Sequence, residues 1–162
     1  MESLNEYIQE YKNQLNRGHI QEAYKGIMTF MTSLKSYLEK NYPNYVVSSL
    51  YFGYLDMTYF AFTPSDLKEK KLKIAIVFLH QQGRFDVWLS GSNRKIQAEY
   101  VKKLSHQNIG KYKLSEVQPG VDSIIESILV EQPDFNHPEK LKMQIDRKTI
   151  EFINDIISIL NK

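Results

Sequence analysis

Apolar side chains near the start of the chain recur at helical spacing. Leu4, Tyr7, Ile8, Tyr11 and Leu15 fall on one face, and the pattern stops at Arg17-Gly18-His19, where a glycine behind a basic residue suits a helix end. A second face follows through Ile20, Tyr24, Ile27, Met31, Leu34 and Leu38, and it ends before Pro43. Two amphipathic helices joined at a glycine predict a helical hairpin packed on the rest of the fold.

The pattern changes at Tyr45. Val46, Val47, Tyr51 and Phe52 precede Gly53, and β-branched and aromatic residues resume from Tyr54 to Phe62. Phe52-Gly53 lacks the usual two-residue hairpin chemistry, so the reading preferred here is one long strand with a bulge at Gly53. Pro64-Ser65-Asp66 ends it and opens a short helical turn. Leu72 to Leu79 is apolar on both faces, as in a central strand. Gln81-Gln82-Gly83 reverses the chain, and Arg84 to Leu89 alternates strictly, with Phe85, Val87 and Leu89 opposite Arg84, Asp86 and Trp88.

Ser90-Gly91-Ser92 breaks that strand, and Ser92 is the expected N-cap of a helix through Ile96, Tyr100, Val101 and Leu104. Residues 105–120 read as loop. The run from Val121 to Val130 fits a strand better than a helix, and His137-Pro138 opens a last helix through Leu141, Ile145, Phe152, Ile153, Ile156 and Leu160. The expected class is therefore α+β, a single domain over residues 1–162. It comprises an N-terminal helical hairpin, an antiparallel sheet of three to four strands, a helix after the strand hairpin, and a C-terminal helix on the sheet.

Composition narrows the chemistry. The chain has 162 residues and no cysteine, which removes disulfides, thiolate metal sites and a thiol nucleophile. A net charge of +2 supplies no general field for nucleic acid or an anionic membrane, so neither is an expected partner. Charge is uneven locally: residues 94–113 carry +5 and residues 114–139 carry −6, and the two stretches are expected to neutralise one another. The N-terminus shows no basic-then-apolar leader pattern, and the longest apolar runs are too short to span a bilayer. A cytoplasmic protein is the expectation.

The best candidate surface is the strand-turn-helix over residues 86–97, with Asp86, Trp88, Ser92, Asn93, Arg94 and Gln97. Backbone N–H groups at a helix start favour an anion, and Arg94 would reinforce them. The plainer alternative is that Ser92 caps the helix while Asp86 pairs with Arg84. Asp56 joins the candidates as a carboxylate in an apolar strand, which would pair with Asp86 if their strands were neighbours. No glycine-rich phosphate loop, zinc-spaced histidine pair or nucleophile elbow is present, so no metal or cofactor is expected.

Three stretches carry a resemblance: Gly53-Tyr54-Leu55-Asp56-Met57-Thr58-Tyr59-Phe60, the strand Leu72 to Phe78 followed by His80, and Phe85-Asp86-Val87-Trp88-Leu89-Ser90-Gly91-Ser92-Asn93-Arg94-Lys95-Ile96-Gln97. Together they resemble an uncharacterised family of small bacterial proteins known as a domain of unknown function. That resemblance implies a bacterial, stand-alone domain and brings no catalytic residue with it. The element order also resembles restriction-endonuclease-like nucleases, whose Asp/Glu-x-Lys strand motif has Trp88 in place of the lysine here. The leading expectation is a non-enzymatic binding or regulatory module with an unidentified small molecule or protein as partner. A degenerate metal-dependent nuclease using Asp56 and Asp86, and a homodimeric structural protein, are the alternatives.

Overall fold

The computed structural model describes residues 3–162; Met1 and Glu2, part of the acidic N-terminus, lie outside the described residues. The two N-terminal helices form where the periodicity predicts them, although only the second is packed into the core. Helix α1 (Leu4–Arg17) is capped by the Ser3 side chain and ends at Gly18, whose φ of 81° is the left-handed conformation a helix stop uses. Helix α2 (His19–Asn41) then buries Phe30, Met31, Leu34 and Leu38.

Five antiparallel strands follow in simple order, β1 (Val46–Val47), β2 (Met57–Thr63), β3 (Leu72–Leu79), β4 (Arg84–Gly91) and β5 (Ser123–Val130). The sheet thus has five strands instead of three to four. The extra one comes from the Gly53 region, which is not a bulge in a single strand. Val46 pairs with Thr63, Val47 with Phe62, and Tyr51 with Tyr59, so the chain doubles back between them. Gly53 has a φ of 78°, and a Cβ there would lie 1.9 Å from the Met57 carbonyl oxygen. Only glycine fits so tight a reversal.

Short helix α3 (Ser65–Glu69) links β2 to β3, α4 (Arg94–Leu104) follows β4, and α5 (Pro138–Leu160) closes the chain. Alternate residues of the strands sort into two faces. Phe60, Phe62, Ile74, Ile76, Phe78, Phe85, Val87 and Leu89 join α2 and α5 in one core, which also takes in Leu104 of α4. Two register shifts against β4 let β5 send Ile124 and Ile125, and then Leu129 and Val130, into that core as adjacent pairs.

Polar ties hold the helices in place. The Tyr37 and Tyr42 hydroxyls donate to Asp146 at 3.1 and 2.6 Å, joining α2 to α5. The buried Lys142 ammonium donates to Ser33 at 2.9 Å and pairs with Glu139 at 2.8 Å, which satisfies a charge that burial would otherwise penalise. Tyr112 donates to Asp155 at 2.6 Å and anchors the long 105–122 loop on α5. Among the described residues no helix is long and apolar enough to cross a membrane.

Candidate functional site

The opposite face of the sheet carries the cleft. Register brings Tyr59 of β2, Val77 of β3 and Asp86 of β4 into one row, Ala75 opposite Trp88 in the next, and Lys73 opposite Ser90 in the third. Ala75 and Val77 are buried but lie outside the main core. The small Ala75 leaves room between its larger neighbours, and a cavity of about 210 Å³ opens there. Its lining comprises Met57, Tyr59, Lys73, Ala75, Val77, Trp88, Ser90, Gly91, Ser92, Asn93, Arg94, Gln97 and Asp122.

Asp86 lies behind one wall, that of Trp88. Its side chain is 1% exposed, and Arg84 donates to it through Nε at 2.9 Å while the Trp88 indole N–H donates to its other oxygen at 3.2 Å. Residues two apart on a strand share a face, so this row clamps the indole in a fixed orientation. The carboxylate hydrogen-bonded to Arg84 holds that guanidinium above its ordinary pKa, against the opposing pull of burial. Asp86 is therefore a support for Trp88 and does not line the cavity.

Asp56 is elsewhere. It lies in the turn before β2, not within a strand, and its Oδ1 accepts the Tyr54 N–H at 2.9 Å. The backbone N–H groups of Tyr54 and Met57 hold its pKa below the usual carboxylate range. Because β3 separates β2 from β4, Asp56 and Asp86 are not on adjacent strands, and each carboxylate is consumed locally. Among the described residues no group of three or more His, Asp and Glu side chains gathers as a metal site would require.

The turn residues divide into two sets. Asn93, not Ser92, caps α4 by accepting the Ile96 N–H at 2.9 Å. Its position follows from Gly91, whose missing Cβ would lie 2.7 Å from the Gln97 nitrogen and so lets β4 run close under the helix start. Arg94 is committed to structure. It donates to Gln97 Oε1 at 3.3 Å, to the Gln118 carbonyl at 3.1 Å and to the Val121 carbonyl, and it pairs with Asp122 at 3.1 Å. Gln97 in turn donates to the Val121 and Ser123 carbonyls at 2.8 and 3.0 Å. These two side chains pin the segment entering β5, and Arg94 is not the free anion-gripping cation expected from its place at a helix start.

Trp88, Ser92, Asn93, Arg94 and Gln97 of the expected set thus line one cavity, and Asp56 and Asp86 do not. Local reading missed Tyr59, Lys73, Ala75 and Val77, which reach the cleft through strand register, and Asp122, which lies just before β5 and pairs with Arg94. One signal was available: Lys73 and Ala75 are the polar and small residues of an otherwise bulky strand. A larger groove of about 790 Å³ lies between α2 and residues 135–139, but its polar lining is helix-surface side chains. The smaller cleft instead has the buried polar side chains of Ser90 and Gln97 on its wall, the arrangement that gives a binding site its specificity.

A second polar cluster sits at the tip of the β3–β4 hairpin. Thr58 donates its only hydroxyl proton to the Phe52 carbonyl at 2.6 Å, so it accepts from His80 Nε2 at 2.8 Å. His80 packs on Tyr24 and Phe78. Burial lowers its pKa, with the Asp56 charge opposing.

An α+β chain with one helix-covered sheet face and a cleft on the other defines the class. The chain matches, over residues 4–160, the family described as Domain of unknown function (DUF7000), and it belongs to that family. No curated protein and no solved structure matches it.

Proposed function

We propose that the protein is a non-enzymatic cytoplasmic binding module that holds a small molecule in the cleft between Tyr59 and Trp88. The observation that carries this reading is the fixed indole of Trp88, held by the Asp86–Arg84 pair beside the small side chain of Ala75. Preorganised aromatic surface around an unfilled space favours a ligand, because ordering the wall is not charged to the binding step. The separate and locally satisfied carboxylates give a nuclease no paired-acid site.

Trp88 is the chain's single tryptophan, so its emission reports directly on the cleft. A metabolite panel followed by thermal shift and Trp88 fluorescence is expected to find compounds that move both. At one hundred times Kd the stabilisation is about 2.7 kcal/mol. Ala75→Leu fills the space and is expected to abolish both responses while the chain still unfolds cooperatively. If no compound moves both signals, the reading fails.

A second reading concerns assembly. Helix α1 buries no residue, and Leu4, Tyr7, Ile8 and Tyr11 stand exposed along one stripe. Glu6 and Glu10 occupy its first half, and Lys12 and Arg17 its second. An antiparallel pairing with a second copy therefore sets acidic half against basic half and opposes the helix dipoles favourably, in the self-complementary manner of a two-fold interface. Sedimentation velocity is expected to show a concentration-dependent dimer that Tyr7→Glu with Tyr11→Glu dissociates. A concentration-independent monomer overturns it.

A further inference from the structure

We infer that the cleft takes a planar aromatic molecule carrying a single carboxylate, a conclusion that rests on the small-molecule reading above and names its ligand class. The ring is required by the walls. Tyr59 on β2 and Trp88 on β4 flank the low floor of Ala75 and Val77 on β3 from either side. Aromatic rings stack or meet edge to face at such a surface, with an attraction beyond the area they bury.

The charge is required by what remains unpaired. Of the cationic groups at the cleft, Arg94 is answered by Asp122 and by three amide or carbonyl oxygens. Lys73 has no carboxylate partner among the described residues, although it is partly buried on an inner strand. Ser90 stands directly opposite it in register and is only 5% exposed. Its hydroxyl lines the cavity without a protein partner among the described residues. Directly paired residues on one face bring their Cβ atoms within about 5.5 Å, so the Ser90 hydroxyl and the root of the flexible Lys73 side chain are neighbours on the cleft face.

Two donors rooted at neighbouring positions, one of them on a side chain long enough to swing to the ligand, suit the two oxygens of a carboxylate, and the cation without a carboxylate partner matches one negative charge. The start of α4 faces the same end of the cleft through Asn93 and Arg94 and adds its partial positive charge. The Lys73–Ser90 pair lies two residues along from the Ala75–Trp88 pair, a step of roughly 6–7 Å on an extended strand. That step suits a ring over Ala75 with its carboxylate attached directly or through one carbon.

Matched acid and amide pairs test this: benzoate with benzamide, nicotinate with nicotinamide, and indole-3-acetate with indole-3-acetamide, with acetate as the ring-free control. Each is titrated into the full chain and followed by Trp88 emission, or by calorimetry for the indoles. At least one acid is expected to bind tenfold or more tighter than its amide, and acetate to leave the emission unchanged. Lys73→Met is expected to bring acid and amide to equal affinity without lowering Tm, and Ser90→Ala to weaken the acid several-fold. If acid and amide bind the unaltered chain equally, the carboxylate inference is overturned and the small-molecule reading stands. If only ring-free compounds from the wider panel bind, the ring is overturned. If nothing binds, both conclusions fall.

Discussion

Both faces of β3 and β4 hold buried side chains, but for different reasons. Ile74, Ile76, Phe78, Phe85, Val87 and Leu89 lie beneath α2 and α5, in a layer of apolar side chains from sheet and helices. On the other face Val77 and Asp86 are just as inaccessible, with Lys73, Ala75, Arg84 and Trp88 around them. There Asp86 is held between Arg84 and Trp88 of its own strand, and Val77 lies in register between Asp86 and the larger Tyr59. Burial by a packed layer leaves no space for a ligand. Burial by neighbours of unequal size leaves a cleft, and its walls need polar ties to stay upright.

That contrast predicts unequal consequences for substitution. The largest loss is expected on the helix-covered face, where Phe85→Ala opens a cavity inside close-packed apolar side chains and costs about 3–5 kcal/mol in chemical denaturation. On the open face Asp86→Ala leaves the Arg84 and Trp88 donors without their acceptor. It is expected to cost about 1–3 kcal/mol and to shift Trp88 emission. Equal losses at the two positions would erase the distinction between the faces.

A smaller effect is expected at the rim of the helix-covered face and depends on pH. Burial holds His80 below its ordinary value, which is about 6.5. Above that value His80 is neutral in both folded and unfolded chains and contributes no pH dependence. As pH falls below it, the unfolded chain takes up the proton first, so stability declines until the folded His80 also titrates. His80→Gln is expected to flatten that part of a stability-against-pH curve, and an unchanged slope would assign the pH dependence to other groups.

Much of the fold could be read from local pattern. Gly18 stops α1, Pro138 opens α5, and the alternation of Phe85, Val87 and Leu89 against Arg84, Asp86 and Trp88 marks two faces of β4. Elsewhere the local signal was ambiguous. A glycine after Phe52 serves a bulge or a reversal equally well, and only the pairing of Tyr51 with Tyr59 distinguishes them. The adjacent isoleucines of β5 obscure its strand period because register shifts turn both into the core. Helices α1 and α5 are both amphipathic, but α5 buries its face and α1 buries none. Periodicity identifies an apolar stripe and says nothing of what covers it.

The sequence by itself determined most of the elements, the α+β class and the strand-turn-helix that carries Trp88, since these depend on residues within a few positions of one another. Tertiary structure decided the site. Arg94 is committed to residues 118–122 by contacts spanning 24 and 27 positions, and Lys73 meets Ser90 only through strand register. Such contacts depend on how whole strands align and on which side chains then compete for the same partner, and neither is encoded in any short window of the chain.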